Sequence, residues 1–157
     1  MTKQFDLPYF EDFEIGQSIT SPARTVTETD VVNYCALSGN WHPLHCDAEY
    51  ARTSLYGKRV VQGALVYTIA LGLALPTPNV MGQTVANYGT DSLRFPKPTF
   101  INDTIHVDTI VEKLEDHRLG GLIAMRFNVI NQHNDLCCFF TVRAVLKRRI
   151  PLPNSDA

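Results

Sequence analysis

Between Arg59 and Pro76 the chain runs for sixteen residues, 60–75, without a single charge. Valine, leucine, isoleucine and alanine dominate this run, with only small or neutral polar residues among them. Wound as a helix it has no polar face, and a helix apolar on every face has to be covered on every face. At about 1.5 Å per residue it reaches roughly 24 Å, short of the ~30 Å core of a bilayer. Pro76 then stops it, so the rest of the chain is expected to enclose it.

Downstream the pattern changes to a period of two. Residues 103–112 alternate, with Ile105, Val107, Thr109 and Val111 on one face and His106, Asp108, Ile110 and Glu112 on the other. A strand over 122–131 follows Gly120-Gly121, and another over 136–147 follows the polar turn Gln132-His133-Asn134-Asp135. One long buried helix with several long antiparallel strands is an α+β layer problem, solved by a sheet that wraps the helix. No segment repeats, so one domain is expected over 1–157, with a core over about 8–149 and a C-terminal tail at 150–157.

The first third is more punctuated. Residues 9–16 mix aromatics with acids and end at a turn glycine, and 17–26 reads as a first strand interrupted near Pro22, hence at a sheet edge. Thr27 ahead of Glu28 and Asp30 is an N-cap, and Val31, Val32, Cys35 and Ala36 form a helical stripe that Gly39 ends. A short helix over 47–53 and a turn at Tyr56-Gly57-Lys58-Arg59 lead into the uncharged run.

Composition narrows the function classes. A net charge of -2 gives no basic field for nucleic acid, and the one cationic cluster, Lys147-Arg148-Arg149, reads as a solvated strand end. The first six residues lack the apolar stretch of a signal peptide, so a cytoplasmic protein with no membrane partner is expected. Cys35, Cys46, Cys137 and Cys138 show no CxxC spacing and read as buried thiols. His106, His117 and His133 are far apart and show no ligand spacing, so no metal is expected.

The segment Ser38-Gly39-Asn40-Trp41-His42-Pro43-Leu44-His45 gathers polar, ring-bearing groups in one loop between two helical patterns. Eighteen residues after His45 comes Gly63, near the head of the uncharged run, where a helix start aims free N–H groups at an acceptor. A base and an oxyanion site are both suggested.

These residues resemble the MaoC-like dehydratases, the single-domain (R)-specific enoyl-CoA hydratases of the hot-dog fold. That family carries its catalytic Asp and His in Ser-Gly-Asp-x-Asn-Pro-Leu-His, and a downstream His-Gly opens its central helix. Gly39, Pro43, Leu44, His45 and Gly63 match; Asn40 stands at the family's Asp, His42 at its Asn and Gln62 at its His. Arg94-Phe95-Pro96-Lys97-Pro98 and Asn102-Asp103-Thr104-Ile105 look like the family's strand pair, and the resemblance covers about 8–149.

The resemblance implies a hot-dog homodimer acting on an acyl-CoA, with no cofactor beyond the CoA of the substrate. His45 would move a proton to or from water, Asn40 would orient that water without being a base, and the Gly63 amide would hold the thioester oxygen. Trp41 would be a packing residue or pocket wall, His42 and Gln62 would border the substrate, and Arg94 and Lys97 would meet CoA phosphates or simply cap a strand. Two rival functions remain open from sequence: a hot-dog thioesterase, and a silent acyl-thioester binding protein in which Asn40 has removed the base.

Overall fold

The computed structural model describes residues 7–77, 80 and 82–150. The tail expected beyond residue 150 lies outside the described residues. After a 3-10 turn at Phe10–Asp12 the order is β1 (Ser18–Thr20), β2 (Arg24–Thr25), α1 (Glu28–Ser38), α2 (Pro43–Cys46), α3 (Ala48–Thr53), α4 (Gly63–Ala74), β3 (Thr84–Arg94), β4 (Thr104–His117), β5 (Gly120–Asn131) and β6 (Leu136–Leu146). The strands form one antiparallel sheet in the order β1-β4-β5-β6-β3, with β2 also on β4. This sheet wraps α4, the hot-dog architecture expected from the pattern.

The alternation in β4 holds: Ile105, Val107, Thr109 and Val111 are all buried. A bulge between Val111 and Lys113 then ends it. Against that face α4 packs Leu65, Val66, Ile69, Ala70 and Ala74. Burial on every side of α4 does not hold within one chain, because Ala64, Thr68 and Gly72, four apart, lie exposed. The helix is also shorter than the run: Val60 bridges Phe100, and Val61 donates its N–H to the Thr99 carbonyl at 2.8 Å, so the chain arrives extended.

The expected first strand is two pieces rather than one. Pro22 has no N–H for the ladder, and Ser21 spans the break by donating its amide to the Val107 carbonyl (2.9 Å) while its hydroxyl accepts the Val107 N–H (3.0 Å). Thr27 caps α1 as expected, in a reciprocal box with Asp30, and Gly39 closes it at φ 72°. The turn of helix α2 was not anticipated. Pro43 occupies its first position and the His42 side chain caps it.

Lys147 is exposed as a solvated strand end should be, but Arg148 and Arg149 form a clamp. The Arg148 side chain is only 15% exposed, lies over the Phe10 ring and pairs with Asp116. Arg149 makes a two-pronged contact with Asp12 at 2.7 and 2.8 Å and lies over Tyr9. Gly121 leaves room for this N-terminal turn, since a Cβ there would sit 2.1 Å from the Phe10 ring. The Arg149 hydrogen bond, foremost, holds the Asp12 carboxyl below its ordinary 3.8. A carboxyl depressed on folding contributes stability that is present above its unfolded value and lost as pH falls through the folded one. Thermal unfolding midpoints should therefore fall as the pH drops below about 5, and Arg149→Met should shrink that fall; an equal fall in the variant would contradict the clamp.

Candidate active site

A cleft of about 490 Å³ opens between α2, the arriving segment 60–61, the start of α4 and the Phe95–Thr99 stretch. His45, Gly63 and Lys97 all line it. His45 sits on α2, half-buried, with Nδ1 2.8 Å from the Val60 carbonyl. A carbonyl only accepts, so Nδ1 carries a proton, and in the neutral ring Nε2 is the nitrogen with the lone pair. The Val60 N–H in turn donates to the Leu44 carbonyl at 3.2 Å. Two hydrogen bonds thus tie the histidine's helical turn to the strand-like residue that feeds α4.

Gly63 is the first residue of α4, and no side chain caps that helix. Its N-cap residue, Gln62, is 2% exposed and directs its amide Nε2 to the Cys35 sulfur at 3.0 Å, leaving its Oε1 without a partner. The first-turn N–H groups, which have no intrahelical acceptor, remain available to a carbonyl oxygen. A Cβ at 63 would meet the Phe95 ring at 2.9 Å, so any side chain there has to displace that ring.

Asn40 lies exposed on the loop after α1 and is not among the residues lining the cleft. Its Oδ1 accepts the His42 N–H at 3.4 Å. His42 is exposed too and stands just outside the residues lining the cleft, with its ring centroid 6.0 Å from that of His45 and 6.2 Å from that of Tyr50. Trp41 is 53% exposed and lines no part of the cleft. Lys97 pairs with Asp135 across the rim, whereas Arg94 ends β3, exposed, and donates to the neighbouring Leu93 carbonyl at 2.8 Å.

Sequence reasoning missed the Val60 carbonyl, a backbone atom with no side-chain signal, and left Phe95 unassigned although it stands in the Arg94–Pro98 motif. It also took all four cysteines as buried, but Cys46 is exposed. Cys137 lines the cleft, where burial, foremost, pushes its thiol up; beside it the Cys138 thiol is pushed up to about 12. Neither is poised as a thiolate nucleophile. A second, apolar cavity of about 220 Å³ lies between the far half of α4 and the sheet, walled by Tyr67, Leu71, Met125 and Phe127. Among the described residues no three His, Cys, Asp or Glu side chains are arranged to hold a metal, and no helix is long and apolar enough to cross a membrane.

Residues 12–132 match the family described as MaoC like domain. The chain belongs to the MaoC-like dehydratase family. It is 40% identical over 99 residues to the protein MaoC of Klebsiella aerogenes, spanning 63% of this chain but 29% of that protein. With the (R)-specific enoyl-CoA hydratase of Rhodospirillum rubrum it shares 34% identity over 111 residues, 69% of this chain and 72% of the relative. The solved structure of the monoamine oxidase regulatory protein from Archaeoglobus fulgius superposes with a TM-score of 0.85 at 32% identity, covering 92% of this chain and 97% of that one.

In this MaoC-like domain the Gly63–Phe95 contact is directly testable. Gly63→Ala should cost up to about 3 kcal/mol by overpacking, and in a Phe95→Ala background the same methyl should cost less than about 0.5 kcal/mol. Denaturant unfolding of the four proteins measures it; equal costs in the two backgrounds would show that the ring is not what excludes a side chain.

Proposed function

We propose that this domain is an acyl-thioester lyase that hydrates a 2-enoyl-CoA to the (R)-3-hydroxyacyl-CoA, or runs the reverse dehydration. The observation that carries this reading is a single cleft holding the His45 imidazole, its Nδ1 engaged by the Val60 carbonyl, and the uncapped amide of Gly63. Family membership supports the reaction class, and the name of the Rhodospirillum relative supports the CoA carrier and the stereochemistry.

In the hydration direction His45 Nε2 takes a proton from water as the water oxygen bonds to C3. The C2=C3 electron pair moves toward the thioester, and the oxygen that gathers the charge accepts the Gly63 N–H. The proton on Nε2 then goes to C2, so the elements of water are added and the imidazole is returned neutral. Asn40 takes no part as a base, because a carboxamide has no basicity to offer at neutral pH. Lys97 on the rim suits a CoA phosphate, and Arg94 at the end of β3 is a second, outlying cation.

A homodimer completes the proposal. Strand β3 ends the sheet and leaves Val85 and Tyr88 exposed, and α4 leaves its small-residue stripe uncovered. Pairing of two β3 edges would continue the sheet across the two copies.

Incubation with crotonyl-CoA and with (R)-3-hydroxybutyryl-CoA, following the enoyl absorbance and free thiol together, tests the reaction. Enoyl absorbance should change with no thiol released, and His45→Ala should lower the rate by about 10²- to 10⁴-fold. Thiol release would point to hydrolysis, silence with both substrates to binding without chemistry, and an undiminished His45→Ala enzyme would refute the base.

A further inference from the structure

His42 departs from the family's pattern, and its surroundings give it a defined protonation pattern. Its Nδ1 accepts the Leu44 N–H at 3.2 Å, capping α2. A backbone N–H only donates, so Nδ1 is the bare nitrogen of the neutral ring and Nε2 carries the hydrogen. His45 has the opposite arrangement, with its proton on Nδ1 against the Val60 carbonyl and its lone pair on Nε2. The two rings stand 6.0 Å apart between centroids, inclined at 62°. At that separation one oxygen can bridge the two rings with hydrogen bonds of about 2.8 Å when their Nε2 atoms face each other. One neutral acceptor and one neutral donor are the complement of a water molecule, or of the hydroxyl it becomes.

We propose that His42 is a second catalytic group of this site, a neutral Nε2–H donor that holds the reacting oxygen while His45 exchanges the proton. This rests on the lyase reading above. In dehydration His45 Nε2 takes the C2 proton, the Gly63 amide holds the enolate oxygen, and the C3–O bond breaks. The departing oxygen takes that proton back from His45 and leaves as water. His42 keeps its own proton throughout and only stabilises charge on the leaving oxygen. Asn40 then acts behind it: its Oδ1 accepts the His42 backbone N–H and fixes the loop.

A helix cap alone would explain the Nδ1 contact, so the test keeps the cap and removes the donor. Ser is as good an N-cap as Asn or Asp but is too short to reach the substrate. His42→Ser should melt within a few degrees of its parent, yet lose roughly tenfold or more in kcat for 3-hydroxybutyryl-CoA dehydration, with KM nearly unchanged. A His42→Ser enzyme with its parent's kcat overturns the donor role and leaves the lyase reading standing, whereas a parent that neither hydrates nor dehydrates overturns both. Nitrogen-15 spectra of the parent supply a readout independent of turnover: the neutral form of His42 should show a protonated Nε2 and a bare Nδ1, and the reverse tautomer overturns the proposal.

Discussion

The hydrogen bond from His45 Nδ1 to the Val60 carbonyl joins the two halves of this molecule on which any chemistry depends. On one side stands the loop between α1 and α2, where the polar side chains are. On the other stands residue 60, three positions before the central helix, itself anchored by the Leu44 carbonyl and by the bridge to Phe100. One contact therefore fixes the ring, decides which nitrogen is basic and sets the distance between the imidazole and the head of α4. Strand-like geometry at 60–61 is what aims that carbonyl; a helix beginning at Val60 would have spent it on an intrahelical bond.

The helix head is kept open at some cost in stability. Gln62 occupies the N-cap position but turns its side chain into the core, where one of its polar ends has no partner. An unpaired buried amide atom costs about 1–3 kcal/mol. A serine or aspartate at 62 would cap α4 and save that cost, but would occupy the same N–H groups that a thioester oxygen needs. The packed interior beneath absorbs the penalty. Phe127 and Phe140 stack at 4.9 Å, Tyr67 meets Phe140 edge-on at 4.7 Å, and the Tyr67 hydroxyl reaches Thr90 at 2.9 Å, so Tyr67 holds α4 to β6 and β3.

Much of this was legible in the sequence because it follows from period. The alternation from Ile105 to Val111, the uncharged run and the Thr27 and Gly39 caps each express one local rule, and together they give the sheet-wrapped helix. Pairing of His45 with Gly63 was legible from motif spacing. What escaped was decided by groups distant in sequence or by backbone atoms. No pattern marks the Val60 carbonyl as the partner of His45, or the Phe95 ring as the reason for Gly63. Arg148 and Arg149 looked like a solvated end because their partners, Phe10 and Asp12, lie more than a hundred residues upstream. The outward stripe Ala64, Thr68 and Gly72 is apolar or small, so composition could not separate it from the buried face.

The most direct measurement is a crystal structure of the protein with a slowly turned-over 3-hydroxyacyl-CoA bound. The thioester oxygen should lie about 2.7–3.1 Å from the Gly63 nitrogen, with the C2–C3 bond beside His45 Nε2 and His45 Nδ1 still on the Val60 carbonyl. A thioester bound away from the head of α4, or a His45 ring that has left Val60 to meet it, would contradict the site.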